Sequence, residues 1–284
     1  MSSRNGSSAH PNAEDGAAPL RGLMANGLGL AAAGANVIMQ LSLLPIGHGV
    51  AESVVHTGSL YRHPIKRTRT TLGYIMIALF GTEHERDVLR REVNRQHRQV
   101  RSSPDSPVAY DAFDPELQLW VAACMYRGLY DTVTVLHDDV DPRVLDTLYA
   151  HCARFATTLQ VPDAMWPKDR DAFDAYWARQ VREVALDDVT RRYLLGVASL
   201  TFLPSPLRVV LAPLHRIVTA GFLPATFRDE LGLAWDRRRQ AVFHAFVTTL
   251  RGLNRLAPRA LREFPLNVVL WDARRRIRQG RRFV

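Results

Sequence analysis

The side chain with the most chemical promise in this chain is a histidine. Leu89, Val93 and His97 follow one another at four-residue steps, so on a helix the imidazole continues an apolar stripe. Arg90, Arg91, Arg95 and Arg98 fall on other faces. Such an imidazole is either a core group satisfied by a neighbouring carbonyl or a neutral ligand of the kind that holds haem iron from one side. Upstream, Arg67 and Thr71 are four apart and share a helix face, with Tyr74 and Ile75 one turn on. A guanidinium stays charged and must therefore find a carboxylate, a carbonyl or an anionic ligand. A structural ion pair meets that need as well as a ligand does.

Common catalytic motifs are absent. There is no Gly-rich phosphate loop, no Gly-x-Ser-x-Gly elbow and no His-Glu-x-x-His pair; His84-Glu85 begins like the last, but position 88 is valine. His48 and His56 are eight apart and share a face only if a helix runs through Gly49 and Gly58. Cys124 and Cys152 are the only cysteines, too few for a disulfide framework or a four-sulfur metal site, and in keeping with a reducing compartment.

The elements that must position these groups are helices. Asp114-Pro115 and Asp141-Pro142 read as a cap followed by a first-turn proline, opening helices over Leu117 to Tyr130 and Arg143 to Leu159. Periodic apolar spacing predicts further helices over 70–80, closed by Gly81, and over 84–100, 169–185, 189–198, 206–219, 224–232, 234–253 and 258–279. No alternating hairpin pattern and no internal repeat occurs, so the expectation is an all-α chain with a single domain over residues 20–284. Residues 1–19 are small and polar and read as a disordered tail without a secretory signal. A cytoplasmic protein is expected, with membrane association left open. The longest apolar run, Leu28 to Ile46, is interrupted by Asn36, Gln40 and Ser42 and ended by Pro45. Asn36 and Gln40 share one face, which suits a buried helix with a polar seam better than a lipid-facing span.

Of the 37 basic residues, two are lysine (Lys66 and Lys168) and 35 arginine. Residues 201–284 hold 16 Arg against 5 Asp or Glu, while the first 200 residues hold 21 basic against 23 acidic side chains. The net charge of +9 thus belongs to the C-terminal part, which excludes a protein coated in positive charge. Arg274-Arg275-Arg276-x-Arg278 and Arg281-Arg282, with Trp271, Ile277 and Phe283 among them, suggest peripheral contact with a membrane or other anionic partner. Nucleic acid is disfavoured, because no recognised binding fold accompanies the arginines.

Taken in order, several segments resemble the MpaB / rubber oxygenase (latex-clearing protein) family. They are the apolar helix ending in Gln40-Leu41 and Pro45, Pro64-Ile65-Lys66-Arg67-Thr68-Arg69-Thr70-Thr71, Val93-x-x-x-His97-x-x-Val100, and Tyr110-x-Ala112-x-Asp114-Pro115 with Trp120. The breaks at Leu203-Pro204, Leu223-Pro224 and Ala257-Pro258 resemble its C-terminal helices, extending the likeness over about Leu20 to Arg282. The resemblance implies a globin-like helical domain enclosing haem b, with His97 as axial iron ligand and Arg67 and Thr71 on the distal side; Arg69 and Thr70 are alternatives in a shifted register. It also implies an oxygenase that uses dioxygen to cleave a double bond in an apolar isoprenoid or lipid-like substrate. Other haem chemistry, such as a peroxidase reaction, fits the same fold. The upstream glutamate assigned as a base in that chemistry can only correspond to Glu52, the sole carboxylate between Asp15 and Glu83. Two features depart from the family. Val100-Arg101-Ser102 stands where a glycine commonly follows the histidine motif, and no export signal is seen, which favours an intracellular substrate over an extracellular polymer.

Overall fold

The computed structural model describes residues 20–53 and 59–282. The expected N-terminal tail, His56 and Phe283 lie outside the described residues. The chain is all-α. Among the described residues there is no β-strand, only an isolated bridge between Arg101 and Asp111.

The apolar run near the N-terminus does not form one rod. Asn26 caps a 3-10 turn over Gly27–Ala32 through its side chain, and α1 (Ala33–Leu41) and α2 (Leu44–Ala51) follow. Pro45 sits in the first turn of α2, and the axis bends by 108° between the two parts. No single helix among the described residues is long and apolar enough to cross a membrane. The polar seam is internal. Gln40 Nε2 donates to Asn36 Oδ1 (2.6 Å), and Asn36 Nδ2 donates to the Cys124 carbonyl (2.6 Å). That carbonyl belongs to α5 (Pro115–Leu136), reached through α3 (Pro64–Phe80) and α4 (Glu83–His97). Gly128 of α5 faces Asn36 so closely that a Cβ there would collide with the amide.

Local signals set most boundaries. Thr82 and Glu85 form a reciprocal capping box at the start of α4, and the Asp114 side chain accepts from the Glu116 and Leu117 amides at the start of α5. Asp141 likewise caps α6 (Pro142–Cys152). The predicted helix over 143–159 breaks after Cys152, and a single separate turn, Arg154–Thr157, follows. Next come α7 (Arg170–Val181), α8 (Asp188–Ala198), α9 (Ser205–Phe222), α10 (Ala225–Leu231), α11 (Arg237–Leu256) and α12 (Leu266–Arg278). The single helix expected over 258–279 is divided by Pro265, which has no N–H to continue an earlier turn.

α5 is the central element. Trp120 is fully buried, stacks on Trp177 (5.1 Å between centroids) and donates its indole N–H to the Met39 carbonyl (3.2 Å). A second, smaller core joins α3, α4 and α12 through Met76, Ile77, Leu89, Leu266 and Leu270. This packing engages two of the C-terminal arginines, while Arg275, Arg278, Arg281 and Arg282 stay exposed. Arg274 donates to the Phe80 carbonyl (2.8 Å) and pairs with Glu85 (3.3 Å), while Arg276 pairs with Asp272 (2.7 Å).

One polar tie joins three segments. His48 of α2 has no accessible surface, though only a thin layer of protein covers it. Its Nδ1 lies 2.5 Å from Glu52 Oε1 and its Nε2 lies 2.6 Å from Asp187 Oδ2. Asp187 also caps α8 by accepting from the Thr190 amide (2.9 Å), and Glu52 Oε2 accepts from Ser106 Oγ (2.8 Å) and the Tyr110 hydroxyl (3.2 Å). Burial opposes charge on His48, but the two carboxylates outweigh it and raise the pKa above its ordinary 6.5. Asp187, despite its own burial, is held at about 2 by the Thr190 and His48 hydrogen bonds.

Two outcomes follow from this packing. Gly128→Ala should lower stability by about 1–3 kcal/mol in denaturant unfolding, because α1 and α5 must separate to admit a methyl group. His48→Gln should cost about 1–2 kcal/mol at neutral pH, a modest figure because both carboxylates are partly solvated. A pKa raised on folding stabilises fully below 6.5, and that part is lost as pH rises through the raised value. Melting temperatures measured from neutral to alkaline pH should therefore fall in the native chain and lack this component in His48→Gln. The Asp187 contribution should persist in mild acid and disappear only as pH falls toward about 2.

Candidate active site

His97 is the last residue of α4, the helix that starts at the Thr82 capping box and buries Leu89 against α3 and α12. Arg90 secures α4 by donating to the Thr157 (3.0 Å) and Thr158 (2.8 Å) carbonyls. The chain then turns back along Arg101–Asp111 and sets Phe113 edge-on to the imidazole, 6.2 Å between centroids. The core-histidine reading requires a carbonyl partner, and among the described residues neither ring nitrogen has a hydrogen bond. Nδ1 is fully buried and unsatisfied. An unpaired buried polar atom costs about 1–3 kcal/mol, so its retention points to something that uses it. Burial, and then the positive charge of Arg67, push the His97 pKa down to about 4. The imidazole is neutral at physiological pH and keeps a lone pair available.

Arg67 lies in the first turns of α3, which Pro64 opens. Surrounding protein depresses its pKa, yet the side chain retains accessible surface. By surface area Arg67 is exposed, so water reaches the side chain even though protein surrounds it closely enough to lower its pKa. Among the described residues no carboxylate pairs with it and no carbonyl accepts from it, so the ion-pair alternative is not realised there. The group nearest in character is Tyr193 of α8, a phenol whose pKa burial raises to about 12 and which the nearby guanidinium pulls back. Thr71 is half-buried one turn along from Arg67. Thr70 instead ties its hydroxyl to the Lys66 carbonyl (2.8 Å), and the charge that reaches His97 is that of Arg67 rather than Arg69. Tyr74, on the same helix, donates to the Phe155 carbonyl (2.6 Å).

Arg67, Thr71 and His97 therefore belong to the α3–α4 region, with Arg67 and His97 in electrostatic contact. Glu52 is already committed to other partners. Both its oxygens are engaged in the His48 clamp, and the hydrogen bonds outweigh burial in lowering its pKa, which makes it a weak proton acceptor. Sequence reasoning missed two participants. His48 drew notice only for its spacing to His56, and Tyr193 carried no signal beyond its place on an amphipathic helix. Cys124 and Cys152 are free and buried, and burial raises both thiols, so neither offers a thiolate at neutral pH. A cleft of about 580 Å³ lies beside the site rather than in it; Tyr61, Tyr193 and Thr201 line it, while Arg67 and His97 do not.

Comparison with known proteins gives the chain a family. The family described as "ER-bound oxygenase mpaB/B'/Rubber oxygenase, catalytic domain" matches residues 21–252, which include every site residue and stop within α11. An uncharacterized protein of Mycobacterium bovis and one of Mycobacterium tuberculosis are each 47% identical over 250 residues, covering 88% of this chain and 98% of the relative. No solved structure matches the chain. The match spans well over half the sequence, and the chain belongs to the family of MpaB and rubber oxygenase catalytic domains.

Proposed function

We propose that the protein is a haem b-dependent oxygenase that uses dioxygen on an apolar, unsaturated substrate of isoprenoid or lipid-like character. The observation that carries this reading is the neutral His97 imidazole, whose buried Nδ1 has no partner among the described residues and which feels the charge of Arg67. A buried imidazole nitrogen left without a partner, near a guanidinium, suits a site that receives an anionic, metal-bearing group. Haem, when bound, supplies an iron able to activate dioxygen.

The chain's own residues have definable parts. His97 would offer a nitrogen lone pair to the haem iron, and the depressed pKa keeps that pair free of a proton. Arg67 presents guanidinium donors to negative charge in the pocket, either a propionate or charge that builds up during oxygen transfer. Thr71 adds a small hydroxyl on the same helix face. Tyr193 remains a neutral phenol at physiological pH and can donate or accept a hydrogen bond beside Arg67. Glu52 is assigned to the clamp that positions α8 and the 101–111 loop, because both its oxygens are already satisfied. On this reading residues 20–284 act as one domain inside the cell, and the reaction is oxidative cleavage of a double bond in the substrate.

The ultraviolet–visible spectrum of the purified protein should contain a Soret band that His97→Ala abolishes. Haem added to both proteins with no spectral difference between them would sink the assignment. Arg67→Ala should weaken haem retention by about tenfold. In haem-free protein the same change should move the His97 titration upward from about 4, since the guanidinium no longer opposes protonation. Burial, the larger cause, should keep it below 6.5.

A further inference from the structure

α9 is anchored at one end and bare at the other. Its C-terminal half is buried through Val218, Thr219 and Ala220, and His215 Nδ1 lies 2.9 Å from the Ala198 carbonyl. The N-terminal half presents Leu207, Val210, Leu211 and Leu214 at helical spacing as a stripe facing solvent, with Val210 at 74% exposure. Contiguous exposed apolar side chains of this size mark an interaction surface. The adjoining flank carries Arg208 and Arg216, which line a cleft of about 440 Å³.

The stretch of chain that carries this helix is basic, although Arg191 within it pairs with Asp188. From Val189 to Arg228 the chain contains five arginines and no aspartate or glutamate. A second copy of the chain docked through the same face would set these arginines against each other, so the charge opposes self-association there. A convex apolar stripe beside arginines suits a surface that is apolar beneath and anionic above. We propose that the exposed half of α9 docks the protein on an anionic lipid bilayer, with the stripe among the acyl chains and Arg208 and Arg216 on lipid phosphates. The surface is separate from the C-terminal arginines, several of which are engaged in holding α12.

The docking face also has a route inward. Its cleft shares Ser199 and Thr201 with the 580 Å³ cleft, and Tyr193, beside Arg67, lines the latter. An apolar molecule leaving the bilayer at α9 would pass along one continuous groove to the flank of the candidate site. This supply role rests on the oxygenase reading, whereas docking rests on α9 alone.

Flotation of the full chain with phosphatidylcholine vesicles, with and without phosphatidylglycerol, tests the proposal. The native protein should float with the anionic vesicles and stay behind with the neutral ones. Val210→Asp combined with Leu214→Asp should reduce the floated fraction by about tenfold. Arg208→Ala with Arg216→Ala should remove the preference for phosphatidylglycerol. All of these side chains except Arg208 are exposed, so both double variants should keep the native circular dichroism and melting temperature. Native protein that never floats, or an aspartate variant that floats equally, overturns the proposal. So does a concentration-dependent dimer, seen by light scattering, that the aspartate variant dissolves without any vesicle binding. Flotation is read from protein rather than haem absorbance, so its failure leaves the oxygenase reading standing, and loss of haem leaves docking standing.

Discussion

A protonated imidazole held between two carboxylates sets where three separate stretches of chain meet. His48 brings α2, the start of α8 and the loop containing Ser106 and Tyr110 to one point. Each of these leads to the candidate site: α8 carries Tyr193 over Arg67, and the loop returns from His97 and places Phe113 against its ring. The carboxylates remain partly solvated and are further satisfied by Thr190, Ser106 and Tyr110, so no partner bears the full cost of burial. Polar groups this well paired specify one arrangement where apolar packing alone would tolerate several.

The site itself works on the opposite principle. There, among the described residues, polar groups are left unpaired: a guanidinium without a carboxylate, and an imidazole whose buried Nδ1 has no partner. The two reinforce one another, because the charge of Arg67 is one reason His97 stays neutral and able to donate its lone pair. Such frustration is tolerable because the remainder of α3 and α4 is firmly packed through Met76, Ile77 and Leu89, and Arg90 and Arg274 tie both helices to backbone carbonyls.

Much of the helical scaffold was legible in the sequence because its signals are local. Asp114-Pro115, Asp141-Pro142 and Gly81 act on their own backbone neighbours, and each marks an observed boundary. The Asn36–Gln40 seam was legible for the same reason, since four-residue spacing settles which groups share a face. Boundaries missed by several residues, such as the break after Cys152 and the division of the C-terminal helix at Pro265, depend on how the chain turns to meet its neighbours. Sequence spacing likewise does not reveal that Glu85 lies opposite Arg274 of α12, 189 residues away.

By itself, then, the sequence determined the all-α class, the caps, the faces of the helices, and the membership of Arg67, Thr71 and His97 in one ordered set of motifs. Only the tertiary structure decided which of those residues would lack partners, because satisfaction of a buried polar group depends on atoms far away along the chain. It separated Glu52, bound into a clamp by an imidazole whose other carboxylate lies 139 residues on, from His97, which was left open. It also turned one half of α9 outward, since packing against α1 and α11 covers only the other half. Local chemistry chooses helices; the desolvation of their side chains, settled by long-range contacts, chooses which of them remain free to act.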